Sequence, residues 1–339
     1  MPPTGYGGIE WIVASLADGL VDAGHEVTLA ASGGSVTRAT LETVFDDAPS
    51  LHIGSPWYEA THVLAAYARP RRFDVIHDHT GAIGPAIAAG IVDRPPVLNT
   101  LHGCWTDANA PLYRAICDRV ALVAISHDQA SRTPADVQLA GVVHNGVALE
   151  RYPFRADKED FLLFVGRASA DKGPEVAIEV ADRVGLPLVM AIKVSEPLEI
   201  DYFASMIAPA MHQVDVEVRT GVGHEEKTDL MSRARAVLVP IRWDEPFGLV
   251  MAEAMACGTP VVAYRRGAAP ELVRHEQTGY LVEPGDLVGF AEAATRVGDI
   301  DAHACRAWVE QRFSASRMVE QYVALYERLV ARPTGVETT

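Results

Sequence analysis

Two carboxylates framing an apolar run carry the plainest chemical signal in the chain. In WDEPFGLVMAEAMACGTPVVA, residues 243–263, Glu245 stands eight positions before Glu253. Glu253 is the only polar residue in the nine-residue run LVMAEAMAC. A helix that is apolar on every side is a buried helix, and a buried carboxylate is costly unless something hydrogen-bonds it. No Arg, Lys or His lies within one turn on that helix to pair with it. The hydroxyls of a ribose or a hexose would satisfy it. Backbone groups, or an Arg from elsewhere in the chain, are the alternative. Glu245 gains its interest from standing at the mouth of the same helix, beside Phe247, Gly248 and Leu249.

The second signal is LLFVGRASADKG, residues 162–173. Arg167 follows an apolar run and Lys172 opens the next amphipathic stretch. Two cations around a strand-to-helix loop, near helix N-terminal amides, make an anion site, and diphosphate is its natural guest. A bare R-x4-K is otherwise two surface charges, but a strand's C-terminal end is where doubly wound folds bind ligands. Lys193 follows LPLVMAI and is either a third cation of that site or a surface charge. Gly7 and Gly8, in TGYGGIE, let a ligand approach backbone amides closely. They do not form the dinucleotide fingerprint, since Glu10 occupies its third glycine position. His102, in LNTLHG, follows another apolar run and is either a structural donor or an acid/base group at a cleft. HDHTG, residues 77–81, pairs two histidines without a carboxylate at useful spacing, so no metal is expected. HNG, residues 144–146, reads as a turn.

These residues need elements to hold them. Short runs rich in Val, Ile and Leu at 26–30, 74–77, 96–100, 121–125, 161–165, 187–192, 214–218, 236–240 and 260–263 suit strands covered on both faces. Amphipathic stretches such as 9–23, 172–184, 248–257 and 314–330 read as helices. Their alternation predicts an α/β chain with doubly wound parallel sheets. A charged, Pro-containing stretch around 147–160 marks the boundary. The expected division is 1–152 as one Rossmann-like domain, 153–313 as a second, and a terminal helix over 314–332. In two facing doubly wound domains the strand ends converge on one cleft, so His102 and the glycine loop would face Arg167, Lys172, Glu245 and Glu253. The chain enters directly into a helix at Ile9, where such domains begin with a strand. A first strand of about 5–6 residues is expected to be missing from the N-terminus.

Composition bounds the classes. The 339 residues carry 29 Lys+Arg against 45 Asp+Glu, a net charge of −16, which disfavours broad binding to nucleic acid or anionic membranes. Any cationic pocket must be local. Cys104, Cys117, Cys257 and Cys305 form no C-x-x-C pair, as expected of a reduced, cytoplasmic protein without zinc or disulfides. The longest apolar stretch, 82–92, is broken by Gly84, Pro85 and Gly90, too short to cross a bilayer.

EPFGLVMAEAMACGTPVVA resembles the E-x7-E region of the retaining glycosyltransferases of family 4, which have the GT-B fold. GRASADKG resembles that family's G-R-x4-K-G segment, NTLHG its His-Gly motif and GYGGIE its N-terminal glycine loop. HNG stands where Pro-Asn-Gly is usual, with His144 in place of the proline. The likeness runs from Pro3 to about Tyr326 and is nearest to a bacterial branch of short members around avilamycin-type transferases. It implies a hexosyl-type transferase with a nucleotide-diphosphate sugar as co-substrate and no cofactor or metal. Arg167 and Lys172 would hold the diphosphate, with Lys193 near them. Glu253 would take the ribose and Glu245 the sugar hydroxyls. The loop at Phe247, Gly248 and Leu249 would give amides, Gly7 and Gly8 would close over the phosphates, and His102 would sit near the transferred sugar. It also implies that the last helix crosses back to the first domain. The acceptor would be a small molecule, a glycan or a lipid-linked hydroxyl. Two alternatives stand beside it: a GT-B nucleotide-sugar epimerase, and a non-catalytic nucleotide-sugar-binding homologue.

Overall fold

The computed structural model describes residues 7–49, 52, 54–68 and 72–331. The chain forms two compact units. One comprises Ile9–Gly146 with 315–331, and the other 7–8 with Val147–Ser314. Gly7 and Gly8, expected with the first domain, group with the second unit, whose long segment begins at 147 rather than 153. The Val147 N–H donates to Phe313 O at 2.8 Å, and Val147 bridges Ser314. That contact ties the two ends of the second unit together. Thr4–Tyr6 of the glycine loop and residue 332 of the expected last helix lie outside the described residues.

The first unit holds two parallel sheets. Strands β1 (Thr28–Ala30) and β2 (Thr40–Glu42) form a pair, and β3 (Ile76–Asp78), β4 (Val97–Leu101), β5 (Ala121–Ala124) and β6 (Leu139–Val142) form a four-stranded sheet in that order. All five residues of β4 are buried, so both faces of the sheet are covered. The C-terminal helix Ala315–Val330 packs on the first helix, Ile9–Asp22. Gly19 permits the contact, because a Cβ there would fall 2.6 Å from Val319 Cγ2.

The second unit carries β7 (Leu162–Arg167), β8 (Leu188–Lys193), β9 (Val216–Thr220), β10 (Ala236–Val239), β11 (Val261–Tyr264) and β12 (Gly279–Val282). They form one parallel sheet in the order β12-β11-β10-β7-β8-β9. Leu162, Phe164, Leu188, Met190, Leu238 and Val262 fill its core against the helices Pro174–Val184 and Leu287–Arg296. From β7 the chain proceeds to β8 on one side, while β10 lies on the other. The order therefore reverses between β7 and β10, and ligands of such sheets bind outside the strand C-termini at that point.

Nine strands fall on the apolar runs read from the sequence. The strands β2, β6 and β12 were not expected. The first is three residues long, while β6 carries a glycine and β12 begins with one, so none shows a continuous apolar run. Among the described residues no helix is long and apolar enough to cross a membrane.

Candidate active site

A cavity of about 480 Å³ opens at the reversal point of the second unit's sheet. Its walls come from the C-terminal ends of β7, β8, β9 and β10 and from the helix Leu249–Ala256. Gly7, Gly8, Lys172, Lys193, Glu245, Gly248, Leu249 and Glu253 all line it, so eight expected site residues meet in one place. Arg167 and Phe247 do not line it. The Arg167 guanidinium turns to Asp171 at 3.2 Å. Phe247 is buried and packs edge-on against Phe313. His102 belongs to the first unit.

Local backbone geometry explains how Lys172 reaches the cavity. Gly173 has φ +66°, and a Cβ there would lie 2.5 Å from Pro240 O. Only glycine turns the chain this tightly from the loop into helix Pro174–Val184. Gly248, at φ +87°, plays the same part before helix Leu249–Ala256.

Each ammonium group lining the cavity has a carboxylate partner. Lys172 Nζ pairs with Glu245 Oε2, which also accepts the Trp243 indole N–H at 3.0 Å. The same ammonium lies 5.0 Å over the Trp243 ring, a cation–π contact. Lys193 Nζ sits 2.7 Å from Glu196 and 3.4 Å from Glu199. Lys227 Nζ donates to Glu253 Oε1 at 2.6 Å.

This last pair corrects the argument made for Glu253. The carboxylate is 2 % exposed and its burial is compensated within the protein. Oε1 receives Lys227 and the Tyr152 hydroxyl, the latter at 2.9 Å. The cation comes from helix His224–Arg233, not from Glu253's own helix. Burial, then the Glu253 charge, pushes the Tyr152 phenol well above its ordinary value, so it stays a donor. Lys227 and Tyr152 were missed by sequence reading. The one available hint was that TGVGHEEK repeats the pattern of a strand end, a glycine loop and a helix-opening lysine.

In the first unit, His102 follows β4. Gln129 Nε2 donates to Leu101 O at 2.8 Å and to Gly103 O at 2.7 Å, gripping the backbone on both sides of it. His102 Nε2 lies 3.0 Å from His79 Nδ1. His77 is engaged at both nitrogens, by the Tyr326 hydroxyl at 2.6 Å and by Thr100 Oγ1 at 2.7 Å. Burial lowers all three imidazoles, His77 to about 3, His102 to about 4 and His79 well below its ordinary value. His102 is therefore neutral near pH 7, with one donor and one acceptor.

Comparison with known proteins agrees with this architecture. Residues 150–311 match the family described as glycosyl transferases group 1, and residues 6–151 match glycosyltransferase family 4. The chain is 27% identical to a glycogen synthase of Mycobacterium tuberculosis, over 90% of the chain and 86% of that protein. It is 29% identical to a D-inositol 3-phosphate glycosyltransferase of Streptomyces scabiei, over 86% and 78%. Among solved structures, AviGT4, a glycosyltransferase of avilamycin A biosynthesis, shares 31% identity with a TM-score of 0.75, covering 97% of this chain and 92% of its own. Anabaena HepE, solved with UDP-glucose, shares the fold at 20% identity and a TM-score of 0.73, covering 97% and 98%. With its two parallel-sheet units and a ligand-sized cavity at the strand ends, the chain belongs to glycosyltransferase family 4 and is a glycosyltransferase of the GT-B fold.

Proposed function

We propose that the enzyme transfers a sugar from a nucleotide-diphosphate donor to an acceptor hydroxyl, with retention of anomeric configuration and without a metal. The observation that carries this is a cavity in which three lysines, two glutamates and two glycine-rich backbone segments converge. Lys172 neutralises charge on the leaving diphosphate, as a metal would elsewhere. An incoming diphosphate competes with Glu245 for that ammonium. Drawing Lys172 away releases Glu245 to accept hydroxyls of the sugar. Arg167, paired with Asp171, swings to the phosphates when the donor arrives. Glu253, oriented through Oε1 by Lys227 and Tyr152, offers Oε2 to the ribose. Gly7, Gly8, Gly248 and Leu249 supply close-approaching amides, Phe247 supports their loop from beneath, and Lys193 stands at the cavity edge. The neutral His102 bonds the transferred sugar. The four free cysteines accord with work in the cytoplasm.

A thermal-shift screen of UDP-, GDP-, ADP- and TDP-sugars tests donor binding, because a ligand of the folded state raises Tm by mass action. UDP-sugars come first, since a protein of the same fold was solved with UDP-glucose. With the donor in hand, Glu245→Ala, Lys172→Ala and Arg167→Ala are each expected to slow transfer about 100-fold or more. Near-normal rates in all three would sink the assignment. Epimer formation from donor alone would replace transfer by epimerisation.

A further inference from the structure

Three imidazoles lie in contact in the first unit. The ring centroids of His77 and His79 are 3.9 Å apart, and those of His79 and His102 are 5.3 Å apart at 28°. His77 is a fixed plate, because Tyr326 and Thr100 hold its two nitrogens and Thr100 also bonds the Tyr322 hydroxyl at 2.8 Å. Gln129 fixes the backbone around His102. What remains free at His102 is the ring's rotation and the choice of protonated nitrogen.

The contact between His79 Nδ1 and His102 Nε2 fixes the first and ties the second to the tautomer of His79. Two ring nitrogens 3.0 Å apart share one proton. Two N–H groups would repel, and two bare nitrogens would make no bond. A neutral imidazole carries one N–H, so the tautomers are tied together. If His79 Nδ1 holds the shared proton, His102 accepts at Nε2 and donates from Nδ1. If His102 Nε2 holds it, Nδ1 of His102 is bare and His79 keeps its proton on Nε2. We propose that His79 is a positioning residue, selecting through this bond the tautomer and ring orientation that His102 presents to the sugar. The proposal rests on the reading of His102 as a substrate-contacting group.

The test uses the full chain with 15N-labelled histidine, read at pH 7 by two-bond 1H–15N correlation, which distinguishes protonated from bare ring nitrogens. His102 is expected to show one neutral tautomer. His79→Phe removes the partner and gives an average of both tautomers. His79→Asn, whose amide reaches the place of Nδ1, preserves one. An averaged signal in the wild type, or one tautomer persisting unchanged in His79→Phe, overturns the proposal. Turnover with UDP-glucose as donor probe adds a functional readout. His79→Phe is expected to lower kcat about tenfold with KM within about threefold, on the scale of losing one oriented partner. His79→Asn restores it, and His79→Phe adds nothing in a His102→Ala background. His102→Ala at the wild-type rate would refute the reading of His102 itself. A slow His102→Ala beside a His79→Phe at the wild-type rate would refute the role of His79 alone.

Discussion

Lys227→Met is the most informative perturbation of the cavity's charge balance. Lys227 Nζ and Glu253 Oε1 are 2.6 Å apart, with side chains 16% and 2% exposed. At that distance and an effective dielectric of about 20, the attraction is about 6 kcal/mol. Relief of the lysine's own desolvation offsets part of the loss, and the Tyr152 hydroxyl still donates to the carboxylate. Breaking one side of a buried pair then costs about 3–5 kcal/mol, most of it from the carboxylate left without its cation. Urea unfolding of the full chain measures this directly. Glu253→Gln removes the charge from the other side, and Lys227→Met with Glu253→Gln leaves two neutral groups. The double variant is expected to be less destabilised than the sum of the singles by about 2 kcal/mol or more. Strict additivity, or a single-variant cost below about 1 kcal/mol, would mean that Lys227 is not what compensates Glu253. The Lys227→Met protein would also be expected to lose donor affinity, since Oε2 is aimed by what Oε1 holds.

Acid and backbone perturbations test two other parts of the reasoning. His77 and His102, lowered from 6.5 to about 3 and about 4 chiefly by burial, resist protonation in the folded state but not in the unfolded chain. The unfolded state therefore binds more protons below pH 6.5. The stability is fully present above that value and is lost as pH falls toward the folded values, by up to about 1.4 kcal/mol per pH unit per ring. Tm measured from pH 7.5 to 4.5 is expected to fall steeply, and His77→Asn to flatten the slope by about one proton. A level profile would contradict neutral burial of these rings. Gly173→Ala places a Cβ 2.5 Å from Pro240 O at φ +66°. It is expected to cost about 2 kcal/mol or more in urea unfolding and to displace Lys172. A loss under about 0.5 kcal/mol would show that the loop relaxes freely.

What the sequence made legible follows from how local each signal is. Strands β7, β8, β10 and β11 are buried on both faces, and their apolar runs declare it without reference to any partner. The loops carrying Lys172, Lys193 and Glu245 were found because a strand end is itself a local mark. Pairings across the chain left no such mark. Lys227 sits 26 positions from Glu253, and Tyr152 sits 101, so periodicity could flag the buried carboxylate but not what holds it. The same limit hid the imidazole cluster. HDHTG and LNTLHG each showed a histidine after an apolar run, yet their meeting depends on the β3–β4 register, which sets His77 beside Leu98 and carries His79 and His102 past the ends of adjacent strands. A parallel sheet brings successive strand ends side by side, whatever the separation in sequence. Residues that look like isolated singletons after apolar runs are therefore best read in neighbouring pairs. On that rule Lys193 is read together with Arg167, its register partner across β7 and β8, as one neighbouring pair of cations at the strand ends rather than two independent candidates.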